Sequence, residues 1–367
     1  MVYSSCKMIN KKDKIFWKNK KVFLTGHTGF KGSWLCIMLN TLGANIYGYS
    51  LKPKKKSLYN LAGIEKIVKK SFFNNINDKN KIKKAISQVN PDIIFHLAAQ
   101  PLVLESYKDP INTYKTNIIG TVNILESVRE IKNSKVNSFL VVTTDKVYDT
   151  KFKKKYKEDD KLGSGDPYST SKSCCELICE SYRKSFPKIK NILSTVRAGN
   201  VIGGGDYAEN RLVPDILKAT TKNGEVILRN PDHIRPWQHV FEPLYGYLVL
   251  SKKIYNLNLP DEFANWNFGP NMDSCKSVYF VASEFKKKLP INLKIINNKK
   301  KPKENSFLIL NNKKSKMLLK WEPKWSLKYS INKIIEWNMK IKKNDVFKIS
   351  KNQVKEYLNL RKKDLLI

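Results

Sequence analysis

At 367 residues and 41% hydrophobic, the chain can bury one large domain or two closely joined ones, and its longest apolar runs fall well short of the ~20 residues a membrane-spanning helix needs. Its formal charge of +37 comes from lysine: only seven of the 69 basic residues are arginines, the side chain favoured for bidentate phosphate and base contacts, which argues against specific nucleic-acid recognition. Cys6, Cys36, Cys174, Cys175, Cys179 and Cys275 show no pairing pattern and no recurring metal-binding spacing, so reduced thiols and no metal centre are expected.

Residues 1–19 interleave lysines with single apolar residues and lack the apolar centre of a secretory signal; an N-terminal extension of a cytoplasmic protein is expected. From residue 20 to 199 strand-like and helix-like segments alternate. "KVFLT" reads as a strand, "FKGSWLCIMLNTLG" as a helix stopping at Gly43, and "ANIYGYS" as the next strand. Further strands are expected at "PDIIFHLAA", "SFLVVTT" and "ILSTVRAGNVIG", with helices at "INTYKTNIIGTVNILESVREI" and "YSTSKSCCELICESYRKSF". This alternation predicts an α/β fold of Rossmann type, a doubly wound parallel sheet with helices on both faces. Residues 200–345, richer in Gly, Pro, Trp and Asn, are expected to form a smaller mixed α/β substrate-binding portion, with roughly 236–262 returning to pack on the first domain. Residues 346–367 read as a terminal helix or tail.

"FLTGHTGFKGSW" sets Gly26, Gly29 and Gly32 between the first strand and its helix. A backbone turning tightly there lets a pyrophosphate approach the unpaired N–H groups of the helix N-terminus. The second strand ends "YGYSLKPKKK", without the acid that ordinarily holds the ribose hydroxyls of NAD, so NADP stays open beside NAD; Lys52 and the lysines at 54–56 could attract a 2′-phosphate. "DPYSTSK" places Tyr168 and Lys172 on one helical face, where an ammonium and an oxidised nicotinamide favour the phenolate and fit it for general-base work. "VVTTDKVYDT" closes an apolar run with Thr144, Asp145 and Lys146. Oxidising an alcohol needs the tyrosine, lysine, threonine and cofactor alone. An extra acid and base suit a reaction in which a new ketone acidifies the neighbouring C–H and water is then lost; we expect Asp145 to be the acid and Lys146 the base.

The GxxGxxG turn and the Thr144, Tyr168 and Lys172 trio resemble the extended short-chain dehydrogenase/reductase family. "FWKNKKVFLTGHTGFKGSWL", "HLAAQPLV", "GNVIGGGDYAENRLVPD" and "RPWQHVFEPLYGYL" are similar to its CDP-glucose 4,6-dehydratase branch, over about residues 16 to 326. The resemblance implies bound NAD, CDP-glucose as substrate, oxidation at C4, loss of water across C5 and C6, hydride return to C6, and a role early in 3,6-dideoxyhexose and surface-polysaccharide synthesis. It also implies a homodimer formed through the helices of "TNIIGTVNIL" and "YSTSKSCCEL". A sugar-nucleotide 4-epimerase, or a dehydratase of another nucleoside diphosphate hexose, is the alternative. By position, His27, Thr28, Phe30, Leu97, Ala98 and Ala99 join the glycines, Tyr168 and Lys172 at the cofactor. Asn117 would support the active-site helices, and Asn200, Arg211 and Arg235 would hold the substrate. His96, Trp237 and His239 are expected to be packed residues. Tyr207 and Asn210 stand where relatives more often carry Trp and Asp.

Overall fold

The computed structural model describes residues 15–163, 165–220, 224–257, 264–296, 308–341 and 344–361; Cys6 lies outside them. Its centre is a seven-stranded sheet of β1 (Lys21–Thr25), β2 (Asn45–Ser50), β3 (Lys70–Phe73), β4 (Ile93–His96), β5 (Ser138–Val142), β6 (Leu193–Ala198) and β7 (Asn265–Phe268). The order is β7-β6-β5-β4-β1-β2-β3, and every pairing is parallel. Winding runs outward in both directions from β1, so the carboxyl ends of β1 and β4 flank the crevice where ligands bind in such sheets.

β1, β4 and β5 are almost wholly buried because helices cover both faces. Side chains alternate by strand geometry. Val22, Leu24, Ile93, Phe95, Leu140 and Val142 enter one core, and Phe23, Ile94, Phe139 and Val141 enter the other. The first core is covered by α1 (Phe30–Leu42), the second by α2 (Lys79–Val89), α3 (Gly120–Glu130) and α4 (Pro167–Ser185). The helical run expected across 111–131 is interrupted by a π-helical turn at Lys115–Ile119, which buries Asn117.

The remaining chain builds a third core from α5 (Leu212–Ala219), α7 (Val278–Lys286), α8 (Leu327–Lys340) and the pair Glu225–Leu228 and Asn292–Ile295. Between them, α6 (Phe241–Leu257) returns to the first core, and β7 extends the main sheet with Trp266 opposite Val196. The segments 70–73, 79–89 and 265–268 carried no expected element. β3 lies at the sheet edge and is half exposed, and β7 is only four residues of "NWNF", so neither shows a long periodic run. Trp17, within the stretch read as an extension, is buried in the first core and stacks on Phe95 with centroids 6.4 Å apart.

The last helix, α9 (Val346–Leu360), packs against α1. Ser350 accepts a 2.9 Å hydrogen bond from the indole of Trp337, whose ring fills the space a side chain at Gly204 would need. Arg361, just beyond α9, is fully buried and donates 2.7 Å bonds to Glu242 Oε2 and the Glu322 carbonyl. Among the described residues no helix is long and apolar enough to cross a membrane.

Candidate active site

The turn from β1 into α1 is closed by sterics. Gly26 has φ +75°, and a Cβ there would sit 2.8 Å from Ala98 N; one on Gly32 would sit 2.2 Å from Gly26 O. Only glycine permits this approach without strain. α1 begins at Gly29 with no side-chain cap and no acid in its first turn, so its terminal N–H groups and dipole remain available to an anion. Thr25 Oγ1 accepts 3.1 Å bonds from Leu97 N and Ala98 N, tying the end of β4 to the glycine turn. A tight turn, an uncapped helix start and the β1/β4 crevice together fit the pyrophosphate of a dinucleotide.

Two loop residues serve the turn differently. Thr28 Oγ1 lies 2.7 Å from Ser50 Oγ and donates to the Leu51 carbonyl, fixing the turn to the end of β2, where no acid stands. His27 points inward: its ring occupies the space above Gly48, pairs with Ser71 Oγ at 3.1 Å, and has its pKa pushed down to about 4 by burial. It is neutral packing beneath the turn. His96 is equally buried and bridges Thr25 at 2.7 Å and Thr121 at 3.2 Å.

α4 starts at Asp166, whose carboxylate caps Ser169 N at 2.9 Å, with Pro167 in the first turn. That start places Tyr168 and Lys172 in line. Tyr168 hydrogen-bonds Thr144, and burial pushes its hydroxyl up to about 12. Lys172 is buried, donates to the Val142 carbonyl at 3.1 Å, and is shifted down, chiefly by desolvation. Asn117 braces this arrangement, accepting from Gln100 N at 2.8 Å and donating to Ser171 Oγ at 2.8 Å.

Asp145 and Lys146 lie in a single 3₁₀ turn, Asp145–Val147, capped by Thr144. Asp145 is buried, and desolvation raises its pKa against the pull of Lys146, a hydrogen bond from Thr144, and the charges of Arg235 and Lys31. The backbone at Gly199 is packed against its carboxylate, since a Cβ there would come within 2.8 Å of Oδ2. Lys146 is half-buried beside it.

The substrate candidates converge from the smaller portion. Arg235 is buried on the short strand Ile234–Pro236, with Nη2 3.0 Å from His233 Nδ1, and Asp145 feels its charge. Arg211 precedes α5, is held by Asp206 at 3.2 Å, and acts electrostatically on Tyr168. Asn200 is half-buried, its carbonyl accepting from Gln238 N at 3.2 Å. Trp237 and His239 are packed, the latter between Phe241 and Trp325. Tyr207 lies under the Lys56 ammonium at 4.9 Å, and Asn210 takes a left-handed φ of +60° that asparagine tolerates.

Sequence reasoning passed over Lys31. On the first turn of α1 it interacts with Asp145, Arg211 and Lys172, and its pKa is pushed down to about 8, mainly by desolvation. The signal was a lysine inside the glycine turn, in a chain with lysines almost everywhere. Also missed was Glu176, one turn beyond Lys172, whose carboxylate is bound by Arg197, Thr143 and Thr195.

A doubly wound sheet with a glycine turn at its switch point and a Thr-Tyr-Lys constellation across the crevice defines a nucleotide-dependent dehydrogenase-type protein. Comparison with known proteins narrows this. The model of the GDP-mannose 4,6 dehydratase family matches residues 23–334, and the chain belongs to that family. It is 40% identical over 358 residues to a CDP-glucose 4,6-dehydratase of Salmonella typhimurium, covering 95% of this chain and 98% of that one. A dTDP-D-glucose 4,6-dehydratase of Dictyostelium discoideum is 28% identical over 277 residues, 70% of this chain and 62% of the other. Among solved structures, a dTDP-glucose 4,6-dehydratase from Bacillus anthracis in complex with NAD shares the fold at TM-score 0.73 and 22% identity, covering 90% of this chain and 99% of that chain.

Proposed function

We propose that the protein is an NAD-dependent sugar-nucleotide 4,6-dehydratase whose substrate is CDP-glucose, which it converts to CDP-4-dehydro-6-deoxyglucose and water. The observation carrying the reading is the buried Asp145 beside Lys146 on the turn that also positions Thr144 against Tyr168. The near full-length similarity to the Salmonella enzyme supports cytosine among the nucleotides.

Gly26, Gly29 and Gly32, with Thr28, Phe30, Leu97, Ala98 and Ala99, would hold the dinucleotide, which supplies a hydride acceptor that later gives the hydride back. Tyr168 as phenolate accepts the proton of the C4 hydroxyl, with Thr144 orienting that hydroxyl. Its pKa, raised in the buried site, falls when a cationic ring binds beside it, and Arg211 acts in the same direction. Once C4 is a ketone, Lys146 removes the acidified C5 proton, and returns it to C5 when the hydride comes back at C6. Asp145, whose pKa desolvation raises, delivers its proton to the departing C6 hydroxyl. Asn200, Arg211 and Arg235 would hold the nucleotide and its diphosphate, arginine supplying paired charge-assisted bonds. The product suits an early step toward 3,6-dideoxyhexoses.

A homodimer is part of this reading. Ile111, 66% exposed, and Leu177, 55% exposed, stand with Tyr107 and Ile119 on the run from residue 103 to 119 and on the adjoining α4, an apolar surface that a second copy would cover.

The test is turnover on CDP-, dTDP-, UDP- and GDP-glucose with substrate deuterated at C4. A 4-keto-6-deoxy product from the CDP sugar, carrying the label on its methyl group, is expected. A C4 epimer with no methyl group would replace this reading with that of an epimerase.

A further inference from the structure

The turn carrying Asp145 and Lys146 is held at both ends by one buried ionic cluster. Before it, Thr143 donates to Glu176 Oε1. After it, the Tyr148 hydroxyl accepts a 2.6 Å bond from Arg197 Nη1. Arg197 closes the circuit with Glu176 through Nε to Oε1 and Nη2 to Oε2, both 2.9 Å. Thr195 donates to Oε2, so Glu176 accepts four hydrogen bonds and has no spare capacity to act as a base. Tyr148 in turn donates a hydrogen bond to Asn267 Oδ1 at 2.8 Å, which anchors the cluster to β7. From α4, Ser173 Oγ reaches the Val147 carbonyl at 2.9 Å. Glu176, Arg197, Tyr148, Thr143, Thr195 and Asn267 are all buried.

Tyr168 and Lys172 depend on α4 and its cap, whereas Asp145 and Lys146 depend on this cluster for their direction. The two halves share Thr144 and the anchor of Glu176 on α4, but Tyr168 and Lys172 also keep their own helix start and the Asn117 brace, so the aim of Asp145 and Lys146 rests more heavily on this cluster. We infer that Tyr148 and Thr143 are positioning residues for the elimination half-reaction, acting through Glu176 and Arg197 and bearing far more on elimination than on C4 oxidation. The inference rests on the dehydratase reading above and says which residues aim its acid and base.

The experiment is Tyr148→Phe, whose ring fits the same pocket while Arg197 keeps the Glu158 carbonyl at 2.9 Å, and Thr143→Val at the other end, with Thr143→Ser as the conservative control. C4 oxidation is read by trapping the undehydrated 4-keto hexose with borohydride and by the isotope effect of deuterium at C4. Elimination is read by solvent deuterium at C5 and by 6-deoxy product. A displacement of about 1 Å costs on the order of 100-fold, so elimination is expected to slow 10- to 100-fold and oxidation, which keeps Tyr168 and Lys172 in place, several-fold less. Undehydrated ketone then accumulates, the C4 isotope effect on product formation vanishes, and Thr143→Ser partitions like wild type. Proportional loss of both steps, or no change in either, in both Tyr148→Phe and Thr143→Val overturns the inference while the dehydratase reading stands. A wild-type protein that makes no 6-deoxy product from any of the four nucleotide sugars overturns both.

Discussion

Arg361→Met removes the cation from a buried pair. Glu242 and Arg361 are 2.7 Å apart, and both side chains are fully buried. The loss leaves Glu242 with the Tyr357 hydroxyl at 2.6 Å and the backbone N–H groups of Lys324 and Trp325 at 3.1 and 2.8 Å. An ionised carboxylate left in that place without its cation costs about 3–5 kcal/mol. At about 2.1 cal/mol/K of unfolding entropy per residue, a chain of this length has about 0.8 kcal/mol/K, so Tm should fall by about 4–6 °C at pH 8. The pH dependence has a definite sign. Burial already raises the Glu242 pKa above its ordinary 4.5 against the pull of Arg361, and losing the arginine raises it further. A group with a raised folded pKa favours the fold below its unfolded pKa and loses that contribution as pH climbs through the folded value. The variant should therefore recover toward wild type as pH falls from 8 to 5 and the carboxyl takes up a proton more readily, by about 1.4 kcal/mol for each pKa unit gained. Thermal unfolding followed by circular dichroism at both pH values measures this. Equal losses at pH 5 and pH 8 would refute the argument that an uncompensated charge at Glu242 is the cause.

Tyr168→Phe should lower kcat by about 10²- to 10⁴-fold with cofactor affinity retained, checked by steady-state rates and cofactor titration. Gly32→Ala forces a methyl to within 2.2 Å of Gly26 O, so the pyrophosphate turn opens and dinucleotide binding by calorimetry should weaken at least tenfold. Because burial raises the Asp145 pKa, its proton persists above the usual carboxylate range. The elimination rate should fall as pH rises through that raised pKa, and in Asp145→Asn this alkaline limb should disappear from a much slower pH-rate profile. Ile119→Glu combined with Leu177→Glu should convert a dimer to monomers in analytical ultracentrifugation, with Tm little altered because both side chains are exposed.

Much of the nucleotide half is legible in the residues because its signals are local. The glycine spacing, the strand before it and the Tyr168/Lys172 pair each fit within one or two turns, and the structure places them at one crevice. β7 and the place where the expected terminal helix α9 docks were not legible for the opposite reason. Trp266 reaches the main sheet through a pairing with Val196, 70 residues back, and α9 reaches α1 across about 300 residues, separations that no periodicity records. His27 carries the same lesson at smaller scale: its place in the motif says cofactor, but the absence of a side chain at Gly48 draws it under the loop. The Glu176 cluster lay hidden because its members look like ordinary helix and strand residues until they meet.

The nucleotide half is also completed late. β1 is made well before β7 completes the sheet, and the flank of α1 that α9 covers waits until α9 and Arg361 arrive about 300–330 residues after it. At roughly 5–20 residues per second that interval is on the order of 20–70 s, during which the apolar flank of the nascent domain stands open to chaperones and to other nascent chains.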